Sequence, residues 1–152
     1  MRAHRVAYEA DGWGVGEIWL DGDRMLWHEL PRPGAAAGQS HPLGERFAAY
    51  FTGKRDDFRD LELEVDDPTP FQRSVLEVLR RIPYGETVTY GELAALAGHP
   101  NAQRAAGTFC AHNRFAIVVP CHRVVAAEGL GSYGSLGVEY KRRLLELEGV
   151  AL

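Results

Sequence analysis

The segment Ile117-Val118-Val119-Pro120-Cys121-His122-Arg123-Val124-Val125 places a thiol, an imidazole and a guanidinium in consecutive positions between two apolar, mostly β-branched runs. The flanking pattern predicts a buried, extended active-site strand over 117–125, with Pro120 fixing φ and removing one backbone donor. Two readings of Cys121 are open at this point. Free cysteine is among the most buried residue types and is often inert. A thiol beside a base in such a microenvironment is also what a nucleophile requires.

The sequence before this segment predicts helices. Thr69 caps a helix that begins at Pro70, with Phe71, Val75, Val78, Leu79 and Ile82 on one stripe. Pro83-Tyr84-Gly85-Glu86 ends it. Thr89 and Glu92 form a capping box for a second helix over Tyr90–Ala97, and Gly98-His99-Pro100 breaks that one. A third helix, about Ala102 to His112 with Asn101 as its cap, completes a helix-turn-helix outline over about 89–112. Its face of Ala102, Ala105, Ala106, Gly107 and Ala111 is almost without side chains, and Arg104 projects beside it. Small residues permit close approach either to another helix or to a groove of DNA. With one Arg and few hydrogen-bonding side chains, the groove they suit is the minor one, where sequence information is degenerate.

The first half is different in character. Net charge is −4 for the 152 residues, but residues 1–69 carry −6 and residues 70–152 carry +2. That asymmetry is compatible with a nucleic-acid partner for the second half. Gly16–Leu20 and Met25–Leu30 flank Asp21-Gly22-Asp23 as a hairpin, residues 31–38 read as a linker, and a short helix spans Pro42–Phe51. Asp56–Leu63 could return as a strand. Trp13, Trp19 and Trp27 are expected in the core or on a sheet face. The composition changes at Asp66-Asp67-Pro68, which sets the expected domains at 1–67 and 68–152. No run approaches the ~20 apolar residues of a membrane span. No secretory leader is evident, and two cysteines suggest free thiols in a reducing cytoplasm without a disulfide framework or zinc site.

The stretch from Ile82 to Gly149 closely resembles the O6-alkylguanine-DNA alkyltransferases. The resemblance rests on Ile82-Pro83-Tyr84-Gly85 with Thr89-Tyr90, Arg104-Ala105-Ala106-Gly107, Asn113, Pro120-Cys121-His122-Arg123-Val124, and the closing Leu144-Leu145-Glu146-Leu147-Glu148-Gly149. It implies an α+β protein: a small ribonuclease-H-like N-terminal domain and a mainly helical C-terminal domain carrying the helix-turn-helix. It also implies single-use transfer of an alkyl group from guanine O6 to Cys121, with His122 as base, Glu148 as its orienting carboxylate, and no cofactor or metal.

By the same resemblance, Tyr90 acts on the 3′ phosphate and guanine N3, Asn113 is a hinge, and Arg104 fills the gap left by the flipped nucleotide. Ala102, Ala105, Ala106 and Gly107 would approach double-stranded DNA, which carries O6-alkylguanine and, as a further candidate, O4-alkylthymine. Val124, Tyr133 and Ser135 would line the base pocket, and Arg123 would anchor the active-site loop. Arg114 stands where the family commonly has Pro and adds a positive charge near the DNA face. Cys110 has no base beside it and reads as a spectator. A monomer is expected. The competing reading is a damage-flagging protein that binds alkylated DNA with little or no transfer, against which Cys121 argues. A cysteine hydrolase would leave Arg104 and Tyr90 unexplained, and a transcription factor would leave Pro-Cys-His-Arg unexplained.

Overall fold

The computed structural model describes residues 3–34 and 38–152, so positions 35–37 of the expected linker lie outside the described residues. The chain forms two compact units. One comprises the chain up to Glu64 together with Arg114–Val118, and the other comprises Val65–Asn113 and Val119–Leu152.

The first unit is a sheet of order β1-β2-β3-β4. Strands β1 (Ala3–Ala10), β2 (Gly14–Asp21) and β3 (Arg24–Arg32) pair antiparallel, and β4 (Glu62–Leu63) joins β3 in parallel. The expected hairpin is present, and Gly22 in its turn has φ 62°, a conformation a side chain would oppose. Helix α1 (Pro42–Tyr50) starts at His41, whose Nδ1 accepts from Leu43 N at 3.0 Å. It buries Phe47 and Tyr50 with Val6, Ile18, Leu20 and Met25. Trp13 is buried against Phe51, while Trp19 and Trp27 pair across strands on the outer face. The return strand expected over Asp56–Leu63 is confined to Glu62–Leu63. Arg46 binds Asp56 and Asp60 at 2.9 Å, and the chain curls around the fully buried Phe58, whose φ is 51°.

In the second unit, α2 (Pro70–Arg81) and α3 (Tyr90–Leu96) begin at Thr69 and Thr89, each within a complete capping box. Helix α4 spans Gln103–Ala111 and α5 spans Val138–Leu147. The expected Asn101 cap is absent: Ala102 is the cap residue, and Asn101 turns the chain with φ 74°. Two short strands, β5 (Val88–Thr89) and β6 (Val124–Val125), pair in parallel. The core gathers Val75, Leu79, Leu93, Ala94, Ala106, Val124, Leu144 and Leu145. No helix among the described residues is long and apolar enough to cross a membrane.

The strand expected over 117–125 is corrected. Only Val124–Val125 is extended and paired, and Cys121–Arg123 is a single 3-10 turn entered from Pro120 at φ −81°, ψ 63°. Ile117, four residues before Cys121, sits in the left-handed region at φ 74°. Proline and that bend interrupt a run whose β-branched residues favour a strand, so local propensity is overridden.

Candidate active site

The 3-10 turn presents three buried polar side chains in sequence: Cys121, His122 and Arg123. Burial is costly for such groups unless each is paired, and Glu148 at the end of α5 supplies the pairing. His122 Nε2 donates to Glu148 Oε2 at 2.8 Å. Arg123 binds the same carboxylate through both Nε and Nη2, each at 2.8 Å, and Gly85 N donates to Oε1 at 3.1 Å. The remaining Arg123 nitrogen, Nη1, donates to Ile82 O at 2.8 Å, and the Tyr84 ring lies 5.8 Å from the guanidinium carbon.

The Ile82-Pro83-Tyr84-Gly85 motif therefore has a physical function: it completes the shell around Arg123 and Glu148. Gly85 is required there, with φ 81° and Glu148 O only 3.0 Å from where a Cβ would stand.

This geometry fixes charge and tautomer. Burial pushes the Glu148 carboxyl up, but hydrogen bonds from His122 and Arg123 outweigh it and hold the group well below the usual carboxylate range. Burial lowers His122 below its ordinary value against the pull of Glu148, so the ring is neutral at pH 7. Because the carboxylate can only accept, the proton sits on Nε2 and Nδ1 carries the lone pair. A neutral imidazole held by a carboxylate, with Nδ1 unprotonated, is a base poised to receive a proton.

Cys121 is 4% exposed, and burial pushes its thiol well above the ordinary value. The Cys110 thiol hydrogen-bonds it and acts in the same direction. Lys141 and a hydrogen bond from Asn113 oppose them. Asn113 Nδ2 also donates to Val119 O at 2.8 Å, tying the end of α4 to the residue before Pro120. Lys141 is fully buried on α5, lies 5.5 Å over the Tyr90 ring, and donates to Ser132 O at 3.3 Å. Burial lowers its pKa to about 8. Tyr90 in turn is pushed up to about 12 by burial and by the two thiols. Gly131 completes this corner. A Cβ there would meet Tyr90 Cε2 at 3.3 Å and Lys141 Nζ at 3.5 Å.

Outside the thiol corner lies an open groove of about 700 Å³, lined by Tyr90, Arg104, Gly107, Thr108, Ala111 and Ser132 among others. Arg104 and Ala105 are exposed on α4, Gly107 and Ala102 are half-buried, and Ala106 is fully buried. Ala106 thus turns into the core and leaves the outer face to its neighbours. Arg114 belongs to the first unit, where Nη2 donates to Glu64 O at 2.9 Å. Val124 is buried in β6, Ser135 is exposed, and Tyr133 is half-buried. Burial of the Tyr133 hydroxyl and the nearby thiols push it well above its ordinary value, which places the group in the electrostatic range of Cys121.

Two neighbours of the thiol escape a sequence reading. Cys110, expected as a spectator, is in contact with Cys121. Lys141 carries a signal that could have found it: Lys141, Leu144, Leu145 and Glu148 form one i, i+3, i+4, i+7 stripe, and a lysine on a buried stripe calls for a use. Among the described residues, no group of three His, Cys, Asp or Glu side chains is arranged to hold a metal ion.

The family described as 6-O-methylguanine DNA methyltransferase, DNA binding domain, matches residues 70–150. A Mycobacterium tuberculosis methylated-DNA–protein-cysteine methyltransferase is 48% identical over 122 residues, covering 80% of this chain and 70% of the relative. Its counterpart from Methanopyrus kandleri is 45% identical over 130 residues, covering 82% of this chain and 95% of the relative. The crystal structure of Mycobacterium tuberculosis OGT in complex with DNA superposes with a TM-score of 0.80 at 38% identity, covering 95% of this chain and 92% of that one. With a family match across more than half its length and relatives this similar, the chain belongs to the methylated-DNA–protein-cysteine methyltransferase family.

Proposed function

We propose that this protein repairs DNA by moving an alkyl group from guanine O6 onto Cys121 Sγ. The observation that carries the proposal is the Glu148 carboxylate holding His122 in the base tautomer immediately after a buried Cys121. In the reaction the S–C bond forms as the C–O6 bond breaks, and the thiol proton passes to His122 Nδ1 through a water. Glu148 steadies the imidazolium that results. Lys141 favours the thiolate electrostatically against its burial. The thioether product has no hydrolytic route back, so each molecule acts once.

Guanine O6 within a duplex cannot reach a buried thiol, which makes extrusion of the nucleotide necessary. We assign α3 and α4 to a helix-turn-helix whose second helix enters the minor groove through Ala102, Ala105 and Gly107. Arg104 takes the place of the flipped nucleotide. Tyr90, on the wall of the groove, crowds the 3′ phosphate and donates a proton to guanine N3. Asn113 couples α4 to the active-site turn, while Val124, Tyr133 and Ser135 border the base. Arg114, with one guanidinium nitrogen on Glu64 O, adds positive charge to the DNA contacts. The antiparallel β1-β2-β3 sheet with α1 beside β1 supports a ribonuclease-H-like first domain. The protein is assigned as a cytoplasmic monomer that needs no cofactor, with O4-alkylthymine as a further candidate substrate.

The test is intact mass after incubation with excess duplex bearing one O6-methylguanine, followed by peptide mapping. One added methyl on Cys121, stopping at one equivalent, is expected, and Cys121→Ser should bind the duplex with no gain. Binding by the native chain with unchanged mass would replace repair with damage flagging.

A further inference from the structure

Within the first unit, the imidazole of His28 uses both ring nitrogens although it lies far along the chain from the thiol. Its Nδ1 donates to Ala116 O at 2.7 Å, and Nε2 accepts from the Tyr8 hydroxyl at 2.6 Å. The backbone of the same residue donates from N to Arg114 O at 2.9 Å, and β3 bridges Phe115 in parallel. A single residue therefore holds Arg114, Phe115 and Ala116 by main chain and side chain together.

The partner Tyr8 is itself committed. Gly16, its cross-strand neighbour, leaves the room its ring occupies: a Cβ at Gly16 would lie about 2 Å from the ring and hydroxyl, at 2.1 and 2.3 Å. The His28 ring stacks on Phe47 with centroids 4.1 Å apart. Burial lowers His28 to about 4, so it is neutral with its tautomer set by Ala116 O.

The residue after Ala116 is Ile117, β-branched, 2% exposed and at φ 74°. That conformation is an outlier for a β-branched residue and persists only where the surroundings over-determine it. The fixed atoms lie on either side of it: Arg114 O and Ala116 O before, and Val119 O, held by Asn113, after. Four residues beyond Ile117 stands Cys121.

We propose that His28, oriented by Tyr8, is a positioning residue for alkyl transfer: by fixing Arg114–Ala116 it sustains the left-handed bend at Ile117 that sets the path of the chain into Cys121. This rests on the transfer reaction proposed above. The native protein serves as control, because absence of transfer there would refute the reaction itself and leave His28 out of the question.

The experiment compares His28→Leu, His28→Asn and Tyr8→Phe by single-turnover methyl transfer at saturating methylated duplex, normalised to the folded fraction. Asn keeps an N–H where Nδ1–H stands, whereas Leu keeps only bulk. His28→Leu should slow transfer at least ~tenfold per folded molecule, with duplex affinity changed less than ~twofold, and His28→Asn should recover most of the loss. An unchanged rate in His28→Leu, or a loss that His28→Asn does not recover, would overturn the proposal. If His28→Leu fails to fold, Tyr8→Phe decides: a fall of about threefold supports positioning, and a native rate refutes it.

Discussion

His122 and Glu148, 26 residues apart in sequence, share a 2.8 Å hydrogen bond with both side chains fully buried. The same carboxylate neutralises Arg123, so one group orients the base and compensates a buried cation. Glu148→Gln keeps the shape and removes the charge. Breaking a buried pair by neutralising one partner costs about 3–5 kcal/mol, and denaturant melts should show a loss in that range. Transfer per folded molecule should fall ~100-fold, because the base loses its tautomer and its counter-charge. A normal rate in the surviving folded protein would reduce Glu148 to a structural anchor.

Lys141→Met isolates the electrostatic support of the nucleophile. Lys141 opposes the burial that pushes the Cys121 thiol up, so its removal should raise that thiol further. Alkylation of Cys121 by iodoacetamide, followed against pH, should shift its profile upward by ~1 unit, with transfer at pH 7 slowed ~tenfold. In the native protein the support should weaken above about pH 8, where Lys141 loses its proton. A profile that does not move would show that the ammonium does not act on the thiol.

What the sequence discloses, and what it hides, follows from the range of the interactions. Thr69 with Gln72 and Thr89 with Glu92 mark helix starts because a cap is a contact within three residues. The hairpin around Gly22 is equally local. The Glu148 hub is assembled from Gly85, His122 and Arg123 across three separate segments, and only resemblance to a family joins them in advance. The strand expected through Cys121 fails for the same reason. Val118 and Val119 favour extension locally, but the bend at Ile117 is held by β3, nearly ninety positions earlier. Lysine is ordinarily solvent-exposed, so the burial of Lys141 shows in the sequence only through its place on the apolar stripe of α5.

Arg104→Ala should separate base extrusion from chemistry. Arg104 is exposed on α4 beside the groove that Tyr90 and Gly107 line. If it fills the gap in the duplex, its loss should slow repair of O6-methylguanine in duplex DNA ~tenfold or more. Reaction with free O6-benzylguanine, which needs no extrusion, should change less than ~twofold. Equal losses on both substrates would remove Arg104 from that role and make it part of the thiol's environment.

The buried histidine of the first unit should be visible in stability as a function of pH. His28 lies at about 4 when folded against an ordinary 6.5, because burial disfavours its charged form. Between those values the unfolded chain binds a proton that folded His28 refuses, so stability rises with pH through the window and falls as pH drops from 6.5 towards 4. One such group gives a limiting slope of about 1.4 kcal/mol per pH unit, and about 3 kcal/mol across the whole window. His122, also held below its ordinary value, adds in the same direction. Glu148 acts lower: its stabilisation is complete above its ordinary value of 4.5 and is lost progressively below it. Urea melts from pH 7.5 to 4 on the native chain and on His28→Phe, which cannot titrate, should give a slope smaller by about one proton in the variant. Parallel slopes would mean that His28 titrates normally, and the Tyr8–His28–Ala116 chain of hydrogen bonds would then be open to water.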